Sequence, residues 1–188
     1  AGADINNYTI TNQAGTTADI TQKDLTVSGI TVSDKTYDST TSATVSVTGI
    51  SYSGLVDGDN FSVAATGVFD NEHVGTQTVT LTETASGTDV ENYNITYQAS
   101  SSADITAKAI TISGITASDK VYDSTTTATL DVDSIAGFIA GDDVSISAIT
   151  GTFADEHVDT NIAVSFSDIT YAGADINNYT ITNQAGTT

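Results

Sequence analysis

The 188-residue chain has no cysteine, methionine, tryptophan or proline, and only 4 basic residues stand against 24 acidic ones. Without cysteine, disulfide scaffolds, thiolate-ligated zinc sites and thiol nucleophiles are excluded. The net charge of −20 argues against a nucleic-acid-binding protein, because basic side chains must displace the counterions of the phosphates. No apolar run approaches the roughly 18 residues of a membrane-spanning helix, so we expect no membrane insertion.

What the chain does contain favours β-structure. Isoleucine (18 residues) and valine (15) far outnumber leucine (4), and threonine and serine together supply 55 residues. β-branched side chains suit strands, whereas the straight-chain residues that favour helices are scarce. The composition therefore predicts an all-β fold.

The chain also repeats itself. Residues 18–48 match residues 103–133 at 21 of 31 positions, and residues 1–17 are identical to residues 172–188. Self-similarity at a fixed period is the signature of a repeat architecture. We therefore expect a slice of a longer tandem array.

The repeat boundaries divide the chain into three predicted parts. Residues 1–22 are the C-terminal strands of a preceding repeat, and residues 23–107 are a complete repeat. Residues 108–188 are a second repeat that lacks its last strand. No proline and no Gly/Ser linker separates the units, which favours an elongated, stiff rod.

Within one repeat the pattern is that of short strands. Leu25 and Val27 alternate with polar residues, and the phase then jumps at Gly29, which indicates a β-bulge that kinks the strand or passes it between sheets. Six to eight strands in 85 residues predict an Ig-like β-sandwich, with a mixed sheet and one short helix as the alternative. Further strands are predicted at residues 43–48, 60–64, 76–82 and 93–98.

Several short motifs, which follow one another in a fixed order, resemble those of a known family. Residues 35–40 (KTYDST) and 120–125 (KVYDST) resemble the signature of YDG-type repeats, and GVFDNEHVGT, GADINNYTIT and ADITQK follow in that family's order. Ser39 and Ser124 stand where the family usually has glycine. The resemblance implies a structural or adhesive repeat of large secreted bacterial adhesins, such as filamentous-haemagglutinin-like exoproteins and biofilm matrix adhesins, without catalytic residues.

Acidic turns are the best candidates for a metal site. Asp57 and Asp59 flank Gly58, and Asp142 and Asp143 follow a glycine at the corresponding turn of the second copy. Carboxylate oxygens in tight turns suit Ca²⁺. No EF-hand loop is present, so the alternative is that these aspartates only make turns and hold water.

Other recurring residues have simpler interpretations. The Glu-His pairs at 72–73 and 156–157 fall short of a zinc site, which needs three or four convergent ligands, and are expected in exposed loops. Lys35 lies between Asp34 and Asp38, which favours an ion pair over an isopeptide crosslink. For Tyr37 and its counterpart Tyr122 we expect a ring in the core and a hydroxyl that fixes a turn.

These observations favour a non-enzymatic function. The leading hypothesis is a stiff spacer in an extracellular or cell-surface adhesin, and the alternative is a glycan- or calcium-binding module. A glycosidase-like enzyme with paired carboxylates is a distant third. Because residues 1–22 carry a strand that the second repeat lacks, we also expect head-to-tail self-association, by strand donation or by displacement of residues 172–188.

Overall fold

The structure, a computed structural model, describes residues 2–132 and 137–188. Ala1 of the predicted tail and residues 133–136 of the predicted second repeat therefore lie outside the described residues.

The first repeat consists of ten strands and a one-turn 3-10 helix, Val90–Asn92. The strands are β1 (Lys23–Ser28), β2 (Thr31–Val32), β3 (Lys35–Thr36), β4 (Ser42–Ala43), β5 (Val45–Ser46), β6 (Ser51–Ser53), β7 (Ser62–Phe69), β8 (Gly75–Ser86), β9 (Tyr93–Thr96) and β10 (Ser100–Thr106).

The second repeat follows the same order, with a 3-10 helix at Ile176–Asn178. Its described strands are β11 (Lys108–Thr111), β12 (Thr116–Ala117), β13 (Thr127–Ala128), β14 (Leu130–Asp131), β15 (Ser145–Phe153), β16 (Val164–Ala172), β17 (Tyr179–Thr182) and β18 (Gly186–Thr187).

The strands of the first repeat form two main sheets. One has the order β6-β1-β9, with β1 and β9 parallel, and the other has the order β3-β10-β8-β7-β4. In the second repeat β11 and β17 repeat the parallel pair in the same register, and β13-β15-β16-β18 repeat the larger sheet. The all-β prediction is confirmed. Parallel pairs and a short 3-10 helix in each repeat are features that the alternative prediction also contained.

Alternating side chains build the core between these sheets. Leu25 and Val27 of β1 are buried, as are Val79 and Leu81 of β8, while the residues between them face solvent. They belong to one cluster that continues through Ile105 into the second repeat. The period of two in the sequence thus selects the buried face of each strand.

Gly29 carries the chain from one sheet to the next, which is the second of the two outcomes that its phase jump left open. It separates β1, which pairs with β6 and β9, from β2, which pairs with β5. Its φ of +84° lies in the left-handed region, and a Cβ at this position would overlap the carbonyl oxygen of Gly49. Only glycine fits this crossing without distortion.

Residues 2–22 pack little against the repeats. They contain a one-turn 3-10 helix, Ile5–Asn7, no strand, and no buried residue. A hydrogen bond of 2.9 Å from the Gln22 side chain to the carbonyl of Glu91 anchors their C-terminal end. Among the described residues no helix is long and apolar enough to cross a membrane.

Candidate functional site

The junction between the two repeats brings polar side chains of both repeats into contact. Only Ala107 separates β10 from β11. Across this junction Tyr37 and Ser39 donate hydrogen bonds to the two carboxylate oxygens of Asp142, at 2.9 and 2.5 Å. Tyr179 of the second repeat donates a third, at 2.5 Å. Asp142 thus receives hydroxyl groups from both repeats.

An aromatic contact lies beside this carboxylate. Tyr37 is only 2% exposed, and its ring meets that of Tyr179 edge to face, with centroids 5.5 Å apart. Phe138 contacts the same Tyr179 ring at 5.1 Å. Edge-to-face pairs add to the stability that burial already provides. The two repeats therefore share a small aromatic core.

A second polar contact flanks the aromatic one. The backbone amide of Val74 donates to Asn178 Oδ1 at 3.1 Å, and the Asn178 amide nitrogen lies 3.2 Å from His73 Nδ1. Asn178 is 2% exposed, the one buried polar residue among those described. Because a buried amide must be hydrogen-bonded, Asn178 fixes the loop of the first repeat on the second.

Hydrogen bonding and burial at the junction determine the protonation states of Asp142 and of the tyrosines around it. Burial by itself would raise the pKa of Asp142, but hydrogen bonds from Ser39, Tyr179 and Tyr37 outweigh it and hold the pKa below its ordinary value. Burial, together with the Asp142 carboxylate, raises the pKa of Tyr179 to about 12. The site therefore holds one carboxylate and neutral tyrosines over a wide pH range.

The turn that delivers Ser39 needs an unusual backbone. Ser39 has φ of +56° and its counterpart Ser124 has +61°, both in the left-handed region that favours glycine. This explains why a glycine suits the position and what the serine adds. Both serine hydroxyls bond the tyrosine two residues before them, and the Ser39 hydroxyl also bonds Asp142 of the next repeat.

The family model of the YDG domain matches residues 21–102 and 106–188. The chain belongs to the YDG domain family. Its two matches coincide with the two structural repeats. No curated protein and no solved structure matches the chain.

The predicted calcium ligands of the YDG repeats are spread over different contacts. Asp59 accepts a hydrogen bond from Tyr93, as its counterpart Asp142 does from Tyr179. Asp143 accepts one from the backbone of Ala174, and Asp57 is exposed. Within the described ranges no three His, Cys, Asp or Glu residues converge in a way that could hold a metal ion. Calcium binding stays a prediction.

We expect both calcium and magnesium to raise the melting temperature of the YDG chain through ionic strength. Its net charge of −20 repels within the folded chain, and salt shortens the Debye length from about 30 Å at 0.01 M to about 8 Å at 0.15 M. Melting curves at matched ionic strength test this. Equal curves in the two cations argue against a specific site at Asp57, Asp59, Asp142 and Asp143, and a further rise in calcium alone supports one.

The recurring lysine and histidine side chains lie at different places in the fold. Lys35 forms an ion pair with Asp38 at 2.6 Å, as expected, and its ammonium lies 5.7 Å from the centre of the Phe69 ring. His157 lies in an exposed loop and bonds Asp155 at 2.6 Å, whereas His73 contributes to the junction. The sequence indicated that these residues recur, but not which residue of one YDG repeat contacts which residue of the next.

The interpretation of the signature tyrosines holds for one copy only. Tyr37 has its ring in the core, and its hydroxyl fixes a turn of the next repeat. Tyr122 is 54% exposed, so the prediction is wrong there. The physical reason is that Tyr37 has the Asp142 turn against it, whereas Tyr122 faces solvent at the far end of the second repeat.

The sequence did not indicate the position of one half-buried carboxylate, that of Glu83. Glu83 lies on the face of β8 that buries Val79 and Leu81, and burial raises its pKa although a backbone hydrogen bond from Gln98 opposes this shift. Counting back from the shared glycines, Gly87 and Gly173, the corresponding residue is Ile169. Glu83 is therefore not part of a chemistry that the repeats share.

The carboxylate of Asp142 gives the junction a pH dependence. Since the folded-state pKa of Asp142 is lowered, its stabilising effect is complete above the unfolded-state value of about 3.9 and is lost as the pH falls through the folded-state pKa. We expect Asp142→Asn to lower the free energy of unfolding by about 2 kcal/mol at neutral pH, since charged hydrogen bonds are replaced by neutral ones.

Urea unfolding of the unsubstituted chain and of Asp142→Asn, as a function of pH, measures this difference in the free energy of unfolding. It should shrink as the pH falls through the lowered folded-state pKa of Asp142, because the carboxylate is then protonated. Asp57→Asn, at an exposed turn position, is the control and should behave as wild type at every pH. A penalty for Asp142→Asn that stays constant down to pH 2 would contradict the assignment.

Proposed function

We propose that the two YDG repeats act as a stiff structural spacer of a bacterial extracellular adhesin, in cell adhesion or biofilm formation. The observation that carries the proposal is the junction, where Tyr37 and Ser39 of one repeat bind Asp142 of the next. A spacer must keep its length under load, and a direct, hydrogen-bonded interface resists bending better than a flexible linker.

Three further features support a spacer. The one-residue connection at Ala107 leaves little freedom between the units. The hydrophobic cluster continues from Ile105 to Ile110 across the junction, so bending would expose apolar surface. The strong negative charge keeps an extended array soluble and separated from its neighbours.

The rigidity of the junction can be measured between two spin labels. The chain has no cysteine, so Ala64→Cys and Ala148→Cys place one label on an exposed strand position of each repeat. We expect a narrow distance distribution in the otherwise unchanged chain. Asp142→Ala should broaden it, because three hydroxyl donors lose their acceptor.

Asp59→Ala is the matched control for this experiment. Asp59 occupies the corresponding turn of the first repeat and bonds Tyr93 of its own repeat, so the substitution removes a similar contact away from the junction. The control should leave the distribution narrow. A broad distribution in the unsubstituted chain would refute the stiff-spacer proposal.

A further inference from the structure

In each repeat the first strand is held by a parallel partner that comes much later in the same repeat. β1 pairs with β9 in a register that begins with Lys23 beside Tyr93. β11 pairs with β17 in the same way, beginning with Lys108 beside Tyr179. Because both copies keep this pair and its register, it is a property of the repeat and not of one place in the chain.

A glutamine side chain extends this pairing past the glycine at which the chain changes sheets. The Ile30 amide donates to Gln98 Oε1 at 3.0 Å, and Gln98 Nε2 donates back to the Ile30 carbonyl at 2.8 Å. The second repeat makes both bonds again between Ile115 and Gln184, at 3.1 and 2.8 Å. The side-chain amide thus offers one donor and one acceptor, as a backbone residue of a partner strand does.

The core shields one face of this pair from water. Leu25 and Val27 of β1 are each 1% exposed, and Ile30 beyond the glycine is 2% exposed. A hydrogen bond that water cannot reach is not readily exchanged for a bond to water when it is strained. The pair is therefore built from bonds that resist separation.

Tension on the chain must pass through this pair. A pull from the N-terminal side reaches β1 first, because residues 2–22 form no strand, and a pull from the C-terminal side enters through Ala107 and β10, which follows β9. The load therefore acts at the start of β1 and beyond the end of β9. In a parallel pair these two points lie at opposite ends of the ladder, so all its hydrogen bonds share the load.

The last strand of the first repeat is held in the same manner. β10 pairs in parallel with β3, with Ile105 beside Lys35. The Asp104 amide also donates to the Asp34 carboxylate at 2.8 Å, and the Tyr37 amide donates to the Thr106 carbonyl at 2.8 Å. Both strands at which load enters the first repeat thus have a parallel partner from the opposite part of the repeat.

The long antiparallel pair of the same repeat responds differently to a pull. β7 and β8 follow each other in the chain, and Ser62 lies beside Ser86 where the pair opens. A load applied at these neighbouring ends separates the hydrogen bonds one after another, since only the first bond bears it at any moment. The repeat therefore contains a strong and a weak direction of pull.

We propose that the parallel pair β1/β9, extended by Gln98, is a mechanical clamp that keeps the YDG repeat folded when the chain is stretched from its two ends. In the second repeat the clamp is β11/β17 with Gln184. Such a repeat carries tension, which is more than a spacer of fixed length requires. Stiffness of the junction and strength of each repeat are separate properties, and either can be absent without the other.

Single-molecule stretching of the whole chain tests the clamp. The chain has no cysteine, so Thr21→Cys and Ala109→Cys, both at exposed positions, attach handles on either side of the first repeat. Ala64→Cys and Ser86→Cys attach them instead near the open end of β7 and β8. We expect the first pair of handles to give an unfolding force several times that of the second. A force that is no higher with the first pair overturns the clamp.

Gln98→Ala removes the extension of the clamp and leaves its two strands in place. We expect it to raise the unfolding rate at a given end-to-end force about tenfold, the effect of losing one or two hydrogen bonds. With the handles on β7 and β8 the same substitution should change the rate little. An unchanged rate under end-to-end load would show that Gln98 bears no tension.

Gln77→Ala is the matched control for this substitution. Gln77 is also half-buried, and its side chain accepts a hydrogen bond from Asn71 at 2.8 Å and donates one to the His73 carbonyl at 2.9 Å. It lies on β8, outside the clamp. Urea unfolding should show similar losses of stability for the two variants, whereas only Gln98→Ala should weaken the chain under end-to-end load. Equal weakening would overturn the clamp, because the force would then follow general stability.

The stretching and spin-label experiments separate the clamp from the spacer. A low end-to-end unfolding force together with a narrow distance distribution refutes the clamp and leaves the stiff spacer. A high force that falls with Gln98→Ala, together with a broad distribution, supports the clamp and refutes the stiff spacer.

Discussion

Phe69→Ala is expected to lower the free energy of unfolding of the first repeat by about 3–5 kcal/mol, the cost of emptying a filled aromatic site in a core. Phe69 is 2% exposed at the end of β7, and the ammonium of Lys35 lies 5.7 Å from its ring centre. Because the Phe69 ring is almost completely buried, the first repeat cannot close the cavity that its removal leaves without losing packing contacts.

Phe153→Ala provides the matched control in the second repeat. Phe153 holds the same place relative to Lys120, also 5.7 Å from the ring centre, but it borders an open groove between residues 117–122 and 153–164 and is only partly buried. We expect a cost of about 1–2 kcal/mol, since less packing is lost where one side of the ring lacks neighbours. Native-state hydrogen exchange reports each repeat separately. Equal costs at both positions would contradict the difference in packing.

The difference between these two phenylalanines shows why sequence predicts the repeat better than its contacts. The alternation of Leu25 and Val27 is a local signal, and it correctly predicted a strand, whereas the glycine at the phase jump predicted either a kink or the change of sheet that occurs at Gly29. The depth of burial of Phe69 instead depends on a cluster of buried residues that are far apart in the chain, from Leu25 to Ile105.

Identical segments give the sharpest case. Residues 1–17 and 172–188 share one sequence, yet Tyr179 is 8% exposed in a strand that pairs with β11, and Tyr8 is 71% exposed in no strand. The local sequence sets the turn, since both copies form the same 3-10 helix before the tyrosine. The strand forms only where a partner strand lies alongside.

The candidate site was predictable only in part for the same reason. The recurring aspartates, tyrosines and serines were visible, and Asp59 and Asp142 were singled out as metal ligands. Their tyrosine contacts were not, because Tyr37 and Asp142 are 105 positions apart and belong to different repeats. Repetition shows which residues matter, whereas the pairing across a junction needs the structure.

Gly29→Ala is expected to destabilise the first repeat by several kcal/mol, which is more than the cost of a left-handed backbone conformation alone. The φ of +84° costs an alanine roughly 1–2 kcal/mol. The new Cβ would also overlap the Gly49 carbonyl oxygen, which is backbone and has no rotamer to change. The chain must therefore move at the crossing between the sheets, where Val27 and Ile30 are buried on either side.

Gly58→Ala separates the two contributions. Gly58 has a similar φ of +93°, but nothing lies within 4 Å of the position of its Cβ. This control should cost only the roughly 1–2 kcal/mol of the left-handed backbone. Urea unfolding of the two variants measures the difference directly, and it equals the steric cost of the crossing. If Gly29→Ala proved no worse than Gly58→Ala, the close approach of Gly49 would not be what requires glycine where the chain leaves β1.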